Sequence, residues 1–120
     1  MLPPDQRLQK NADFRRVYAQ GRSFALGLAV LYVWKRDSRA ALEDHTGLRI
    51  GFVVSKKQGK AVVRNRIKRR LREVVRLQIP ELHESACDVI FVARSGLKTA
   101  THAEIQTCVK ELLRRAGLAG

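Results

Sequence analysis

The sequence has no apolar run approaching the roughly 20 residues that a membrane-spanning helix requires. Its opening, Met1-Leu-Pro-Pro-Asp-Gln-Arg7, lacks the basic-then-apolar pattern of a secretory signal, so a cytoplasmic protein is expected. Cysteine is scarce: Cys87 and Cys108 have no close neighbours of metal-ligand type and read as small core residues in a reducing compartment. Also missing are a glycine-rich phosphate loop, a zinc-ligand spacing and a nucleophile-base arrangement. His45, His83 and His102 lie far apart, and Glu43-Asp-His45 reads as polar surface loop rather than a metal site. No catalytic residue, metal ligand or cofactor is therefore expected of the protein itself.

The remaining scarcity is acid. Eleven Asp plus Glu stand against 24 Lys plus Arg, a net charge of +13. Such an excess repels itself and calls for a polyanionic partner: nucleic acid, an anionic membrane or an acidic protein, with composition slightly favouring the first. A chain of 120 residues suits one domain, 1–120, able to bury about two-thirds of its unfolded surface. An apolar fraction of 45% fits a packed core rather than a disordered tail. Residues 1–7 are expected to be flexible.

Asn11 to Gly21 reads as a short helix, with Asn11 as cap, Asp13 at the positive end of the dipole and Gly21 as stop; Phe14, Val17 and Tyr18 share one face. Arg22 to Ala25 suits a short strand broken near Gly27. Leu28 to Trp34 alternates two apolar rows, Leu28/Val30/Tyr32/Trp34 and Ala29/Leu31/Val33, which suggests a strand covered on both faces. Residues 36–47 form a polar stretch, long for a hairpin, and are expected as a surface loop. Leu48 to Val54 is a further strand, Ser55-Lys-Lys-Gln-Gly59 a turn, and Asp88 to Ala93 a buried strand. Thr101-His-Ala-Glu104 is a capping box opening a last helix with the stripe Ile105, Cys108, Val109, Leu112 and Leu113. The class is α+β, a single αβββαβα sandwich with a four-stranded, mostly antiparallel sheet.

The chemistry concentrates between Lys56 and Arg76, where ten cations (six Arg, four Lys) face one acid, Glu73, giving +9 of the net +13. At 100° per residue, a helix from Ala61 to Gln78 puts Val63, Ile67, Leu71, Val74 and Gln78 on one stripe and Asn65, Arg66, Lys68, Arg69, Arg72 and Arg76 opposite. A solvated face with scattered ion pairs does not account for this, because Glu73 is the only counter-charge and like charges four apart destabilise a helix. A prevalence of Arg points to bidentate phosphate contacts. Asn65 suits a base edge or a 2′-hydroxyl. The helix ends before Pro80.

The segment Phe52-Val-Val-Ser-Lys-Lys-Gln-Gly-Lys-Ala-Val-Val-Arg-Asn-Arg-Ile-Lys-Arg-Arg-Leu-Arg-Glu73, with Arg64-Asn65-Arg66-Ile67-Lys68-Arg69 at its centre, resembles the signature of the protein subunit of bacterial ribonuclease P. So do Leu8-Gln-Lys-Asn-Ala-Asp-Phe14-Arg-Arg-Val-Tyr18-Ala-Gln-Gly21, the pair Leu31-Tyr32 and the order of elements. The resemblance implies a partner for a large catalytic RNA, which with bound divalent magnesium removes the 5′ leader from precursor tRNA. It implies that Arg64, Asn65, Arg66, Lys68, Arg69 and Arg72 meet the RNA subunit. It implies a leader cleft with Phe14, Tyr18 and Tyr32, joined by Ser55, Lys56 and Lys57 on leader phosphates. It also implies a left-handed β-α-β crossover, against the general right-handed rule. From the residues alone the aromatic trio fits core packing, and many relatives carry Phe where this chain has Tyr18. Trp34 is open between rim and core. The alternative reading is a ribosomal or RNA-chaperone protein that uses the same helix as glue.

If the helix engages about six phosphates at a slope of roughly −0.9 each, affinity for structured RNA should fall by about three decades between 50 and 200 mM salt. Filter binding across that range measures it, and a flat profile would remove the electrostatic basis.

Overall fold

The computed structural model describes residues 7, 8, 10–35, 48–78 and 87–118. The 36–47 loop, Pro80, His45, His83 and the first six residues lie outside them. The elements are α1 (Asn11–Gln20), β1 (Arg22–Leu26), β2 (Ala29–Lys35), β3 (Arg49–Val54), α2 (Ala61–Gln78), β4 (Cys87–Ala93) and α3 (His102–Arg115), with 3-10 turns at Lys56–Gln58 and Ser95–Thr99. This is the expected α+β order. The sheet runs β1-β2-β4-β3, antiparallel except for the parallel pair β3 and β4. β4 thus inserts between β2 and β3, and α2 is the crossover that the parallel pair requires.

Alternation along each strand sends residues to two different layers. One face presents Leu31, Val33, Ile50, Val54, Val89 and Phe91 to α2 and α3, whose apolar stripes are buried there: Ile67, Leu71, Val74 and Val75 on α2, and Ile105, Cys108, Val109, Leu112 and Leu113 on α3. The other face packs against α1 alone, around Leu8, Val17 and Ile90, with Phe14, Tyr32, Trp34, Val53 and Val92 only partly covered. The two rows of β2 are therefore unequal: Ala29, Leu31 and Val33 are buried, whereas Val30, Tyr32 and Trp34 are half-buried. One ten-residue helix cannot roof a four-stranded sheet, and the expectation of full cover on both faces is corrected accordingly.

At α1 one further expectation changes and one holds. Lys10, not Asn11, is its N-cap, and no side chain caps it. Gly21 does end the helix, but at φ −83° rather than in the left-handed region. Glycine is needed there for space: a Cβ would stand 2.5 Å from the Val17 carbonyl oxygen and 2.7 Å from that of Val33. Arg7, expected to be flexible, makes a parallel bridge to Ile50, and the Leu8 N–H donates to the Ile50 carbonyl at 2.8 Å.

The end of α3 is closed by a Schellman arrangement: Leu118 N–H donates to the Leu113 carbonyl and Gly117 N–H to that of Arg114, with Gly117 at φ +76°. Its start carries the capping box, with Glu104 N–H to Thr101 Oγ1 at 3.1 Å and Thr101 N–H to a Glu104 carboxylate oxygen at 2.8 Å. On the α1 face, Asp88 is fully buried and receives a two-pronged contact from Arg49, directly opposite in the β3–β4 register, at 2.8 and 2.6 Å. Asp13 of α1 lies 3.8 Å from the same guanidinium. This bracket joins β3, β4 and the start of α1.

Breaking a buried ion pair by removing one partner costs about 3–5 kcal/mol, whereas losing an N-cap costs about 1 kcal/mol. Asp88→Ala should therefore reduce the unfolding free energy several times more than Thr101→Ala, as measured by urea denaturation. Comparable losses would show the bracket to be peripheral.

Candidate nucleic-acid interface

The basic helix is anchored by its stripe, with Ile67, Leu71, Val74, Val75 and Gln78 buried and Val63 half-buried. Asn65, Arg66 and Arg69 are exposed on its far side, and Arg64, Lys68 and Arg72 are half-buried along its flanks. Glu73 is spent on Arg76, 2.5 Å away in an exposed i,i+3 pair that holds the carboxyl below its ordinary range. No carboxylate among the described residues pairs with Arg64, Arg66, Lys68, Arg69 or Arg72. Arg72 instead lies 5.8 Å from the ring centroid of Phe52, which stacks on Phe91 at 6.0 Å. The result is a ridge of cations held rigidly by packing beneath it.

Arg70 does something different. Its guanidinium donates to the carbonyls of Leu97 and Lys98, each at 3.3 Å, and to that of Ala100, fastening the turn after β4 onto α2. Three residues after Ile67 and beside Leu71, it flanks the apolar stripe, a position from which a long side chain reaches neighbouring backbone.

On the opposite face, α1 brings the aromatics together. The Phe14 ring lies directly on Gly51, where a Cβ would stand 2.6 Å from ring carbon Cζ. Phe14 is thus half-buried packing as well as cleft wall. Tyr18, 43% exposed, meets Tyr32 edge to face with centroids 4.9 Å apart at 82°. Partial desolvation, helped by the adjacent Tyr32, pushes the Tyr18 phenol above its ordinary range, so its hydroxyl stays a neutral donor at physiological pH. Beside this pair the register places Ala25, Val30, Val92 and Val53 in one row across all four strands. The three valines are half-buried and floor a shallow trough that α1 leaves open. Ser55, Lys56 and Lys57 are exposed immediately after β3, where the trough leaves the sheet. Gln58 fixes this turn by donating from Nε2 to the Ala93 carbonyl at 2.6 Å.

The six ridge residues therefore fall on one element, Phe14, Tyr18 and Tyr32 on α1 and β2 at the other face of the sheet, and Ser55, Lys56 and Lys57 on the turn between β3 and α2 at its end. The valine floor was not singled out from sequence, although its alternation with the buried rows carried the signal. Trp34 is half-buried, with the Arg16 guanidinium 5.3 Å from its ring centroid.

The family model described as Ribonuclease P matches residues 2–117. The chain belongs to the ribonuclease P protein family. It is 43% identical over 117 residues to the ribonuclease P protein component of Clostridium novyi, covering 98% of each chain. To that of Symbiobacterium thermophilum it is 43% identical over 112 residues, covering 93% of this chain and 91% of the other. The structure of the Staphylococcus aureus RNase P protein superposes with a TM-score of 0.79 at 35% identity, covering 96% of this chain and 98% of that one. The Thermotoga maritima RNase P protein gives 0.75 at 25% identity, with 91% and 96% covered. Among the described residues no helix is long and apolar enough to cross a membrane, and no group of three His, Cys, Asp or Glu is placed to hold a metal ion.

Arg66 and Arg70 separate binding from stability. Arg66→Ala or Arg69→Ala should weaken RNA binding and leave the melting temperature unchanged. Arg70→Ala should lower the melting temperature by stripping partners from three carbonyls, at about 1–3 kcal/mol for each bond to a charged group that is lost. Thermal melts paired with RNA binding decide it, and unfolding of the Arg66 variant would mean the ridge is misassigned.

Proposed function

We propose that the protein is the RNA-binding subunit of the ribonuclease P ribonucleoprotein, a tRNA-processing endonuclease in which the RNA performs the hydrolysis. The ridge Arg64, Asn65, Arg66, Lys68, Arg69 and Arg72 would bind the RNA subunit. The cleft of Phe14, Tyr18 and Tyr32, with Ser55, Lys56 and Lys57 at its exit, would take the single-stranded 5′ leader of precursor tRNA. Magnesium would serve the RNA-catalysed step rather than bind the protein, and the assembly would work in the cytoplasm.

The observation that carries this reading is the pairing of an uncompensated cationic ridge with a half-open aromatic trough on the opposite face. Structured RNA is held mainly through its phosphates, which suits the ridge. Unpaired bases are held by stacking, which suits exposed tyrosines and tolerates any leader sequence. The direct test is cleavage of precursor tRNA by the cognate RNA subunit at low magnesium. Adding the protein should restore the rate, whereas protein stripped of RNA should process nothing. Unchanged RNA-only cleavage would favour a general RNA chaperone.

Leader length tests the cleft. Tyr18→Ala or Tyr32→Ala should weaken binding of a precursor with a leader several nucleotides long by about 1–3 kcal/mol per lost stack. Mature tRNA and a one-nucleotide leader should bind as they do to wild type. Equal weakening of all three substrates, together with a drop in melting temperature, would make the tyrosines packing residues.

A further inference from the structure

Among the described residues three large apolar side chains are exposed: Tyr18 in the cleft, Leu77 in the last turn of α2, and Val62, the most open at 73%. Val62 stands in the first turn of α2, on the crest of the cationic ridge. At about 100° and 1.5 Å per residue, Asn65 and Arg66 lie one turn further on at either side of it, and Arg69 lies in line with it two turns on. From this placement we infer that Val62 belongs to the RNA contact and covers the face of an unpaired base of the RNA subunit. The inference rests on the ridge being the site for that RNA. It specifies what the ridge accepts: a loop, bulge or junction rather than a regular duplex.

No packing among the described residues accounts for this side chain. Its neighbour Val63 is half-buried on the core side of the helix, and a Cβ at Gly59 would stand 3.1 Å from the Val63 Cβ and Cγ1. Val62 belongs to neither core cluster. As a β-branched residue it also lowers helix propensity, at a start that has no acid in its first turn. Single exposed apolar residues are common on protein surfaces, but this one interrupts a row of cations, where it stays dry only against another apolar surface. RNA offers one such surface. The wide minor groove of duplex RNA shows 2′-hydroxyls and base edges and its backbone shows phosphates, whereas an unstacked base exposes its ring face. With that face on Val62, Asn65 is placed one turn away for the base edge, and Arg66 and Arg69 for the flanking phosphates. An anionic membrane would need a broad apolar face beside the cations, which one valine does not supply. A second copy of the chain would bring another +13 against the ridge.

The test measures binding of the full-length protein to the RNA subunit in one arm and to a plain RNA duplex in the other, across a range of salt. Val62→Ala should weaken binding of the RNA subunit by about tenfold, the loss expected for two buried methyl groups, and leave the salt slope unchanged. The duplex should bind this variant as it binds wild type, because the cations alone hold it. Alanine favours a helix more than valine does, so the melting temperature should stay level or rise. Val62→Thr keeps the branched shape but sets a hydroxyl against the base, and it too should weaken the RNA subunit alone. Arg66→Ala, by contrast, should weaken both RNAs and lower the salt slope by about one. Wild-type affinity of Val62→Ala for the RNA subunit overturns the inference and spares the proposed function. Equal weakening of both RNAs by Val62→Ala, or a fall in its melting temperature, also overturns it. If Arg66→Ala and Val62→Ala both bind the two RNAs as wild type does, the ridge is no RNA site and both readings fail.

Discussion

The burial of β4 on both faces is the constraint from which the rest of the arrangement follows. Cys87 to Phe91 are fully enclosed, and the strand contributes Val89 and Phe91 to the layer under α2 and α3 and Ile90 to the layer under α1. A strand in that position needs partners on each side, and it takes β2 antiparallel and β3 parallel. The parallel pair forces the chain between β3 and β4 to cross over one face, and that chain is the basic helix. The helix is thus held by its connection as well as by its apolar stripe, and its cations are carried on a support that cannot tilt away. The single buried charge of the strand, Asp88, is answered by Arg49 from the neighbouring strand, which ties the register of the parallel pair to the position of α1.

The unequal cover of the two faces then separates the two surfaces. Two helices seal one side, and one short helix leaves the row Ala25, Val30, Val92 and Val53 partly open beside Tyr18 and Tyr32. The turn at Lys56–Gln58 connects the open trough with the start of α2, so strand, turn and helix form a continuous path from one surface to the other. An RNA subunit on the ridge and a single strand in the trough would be gripped by one rigid body. Relative placement of the two would then be set by packing, without a hinge.

Much of this was legible in the residues. The stripe of α2, the capping box at Thr101 and Glu104, and the buried strand before Ala93 follow from periodicity and local chemistry, and each stands where it was expected. Family likeness implied the roles proposed for the ridge and for the three aromatics, where spacing alone allowed core packing. What could not be read were contacts between distant segments. Nothing local distinguishes Arg70 from Arg69, yet one fastens carbonyls near Leu97 and the other is exposed. Gly51 looks like any strand glycine until Phe14 is laid on it, and Gly21 looks like an ordinary helix stop until Val33 closes over it. Lys10 took the cap from Asn11 because the chain enters the helix one residue earlier than the preferred side chain would have it.

The short bridge between Arg7 and Ile50 has a consequence for the protein before it meets any RNA. β3 is an edge strand, and an open edge is a template on which a second chain can pair. The segment at Arg7 and Leu8 occupies the beginning of that edge, consuming the Ile50 carbonyl. Charge alone repels other copies less as salt rises, so a covered edge adds a barrier to pairing that salt does not screen. Arg7 and Leu8 thus act as a selvedge over the first residues of β3, where a second chain would have to displace them to pair.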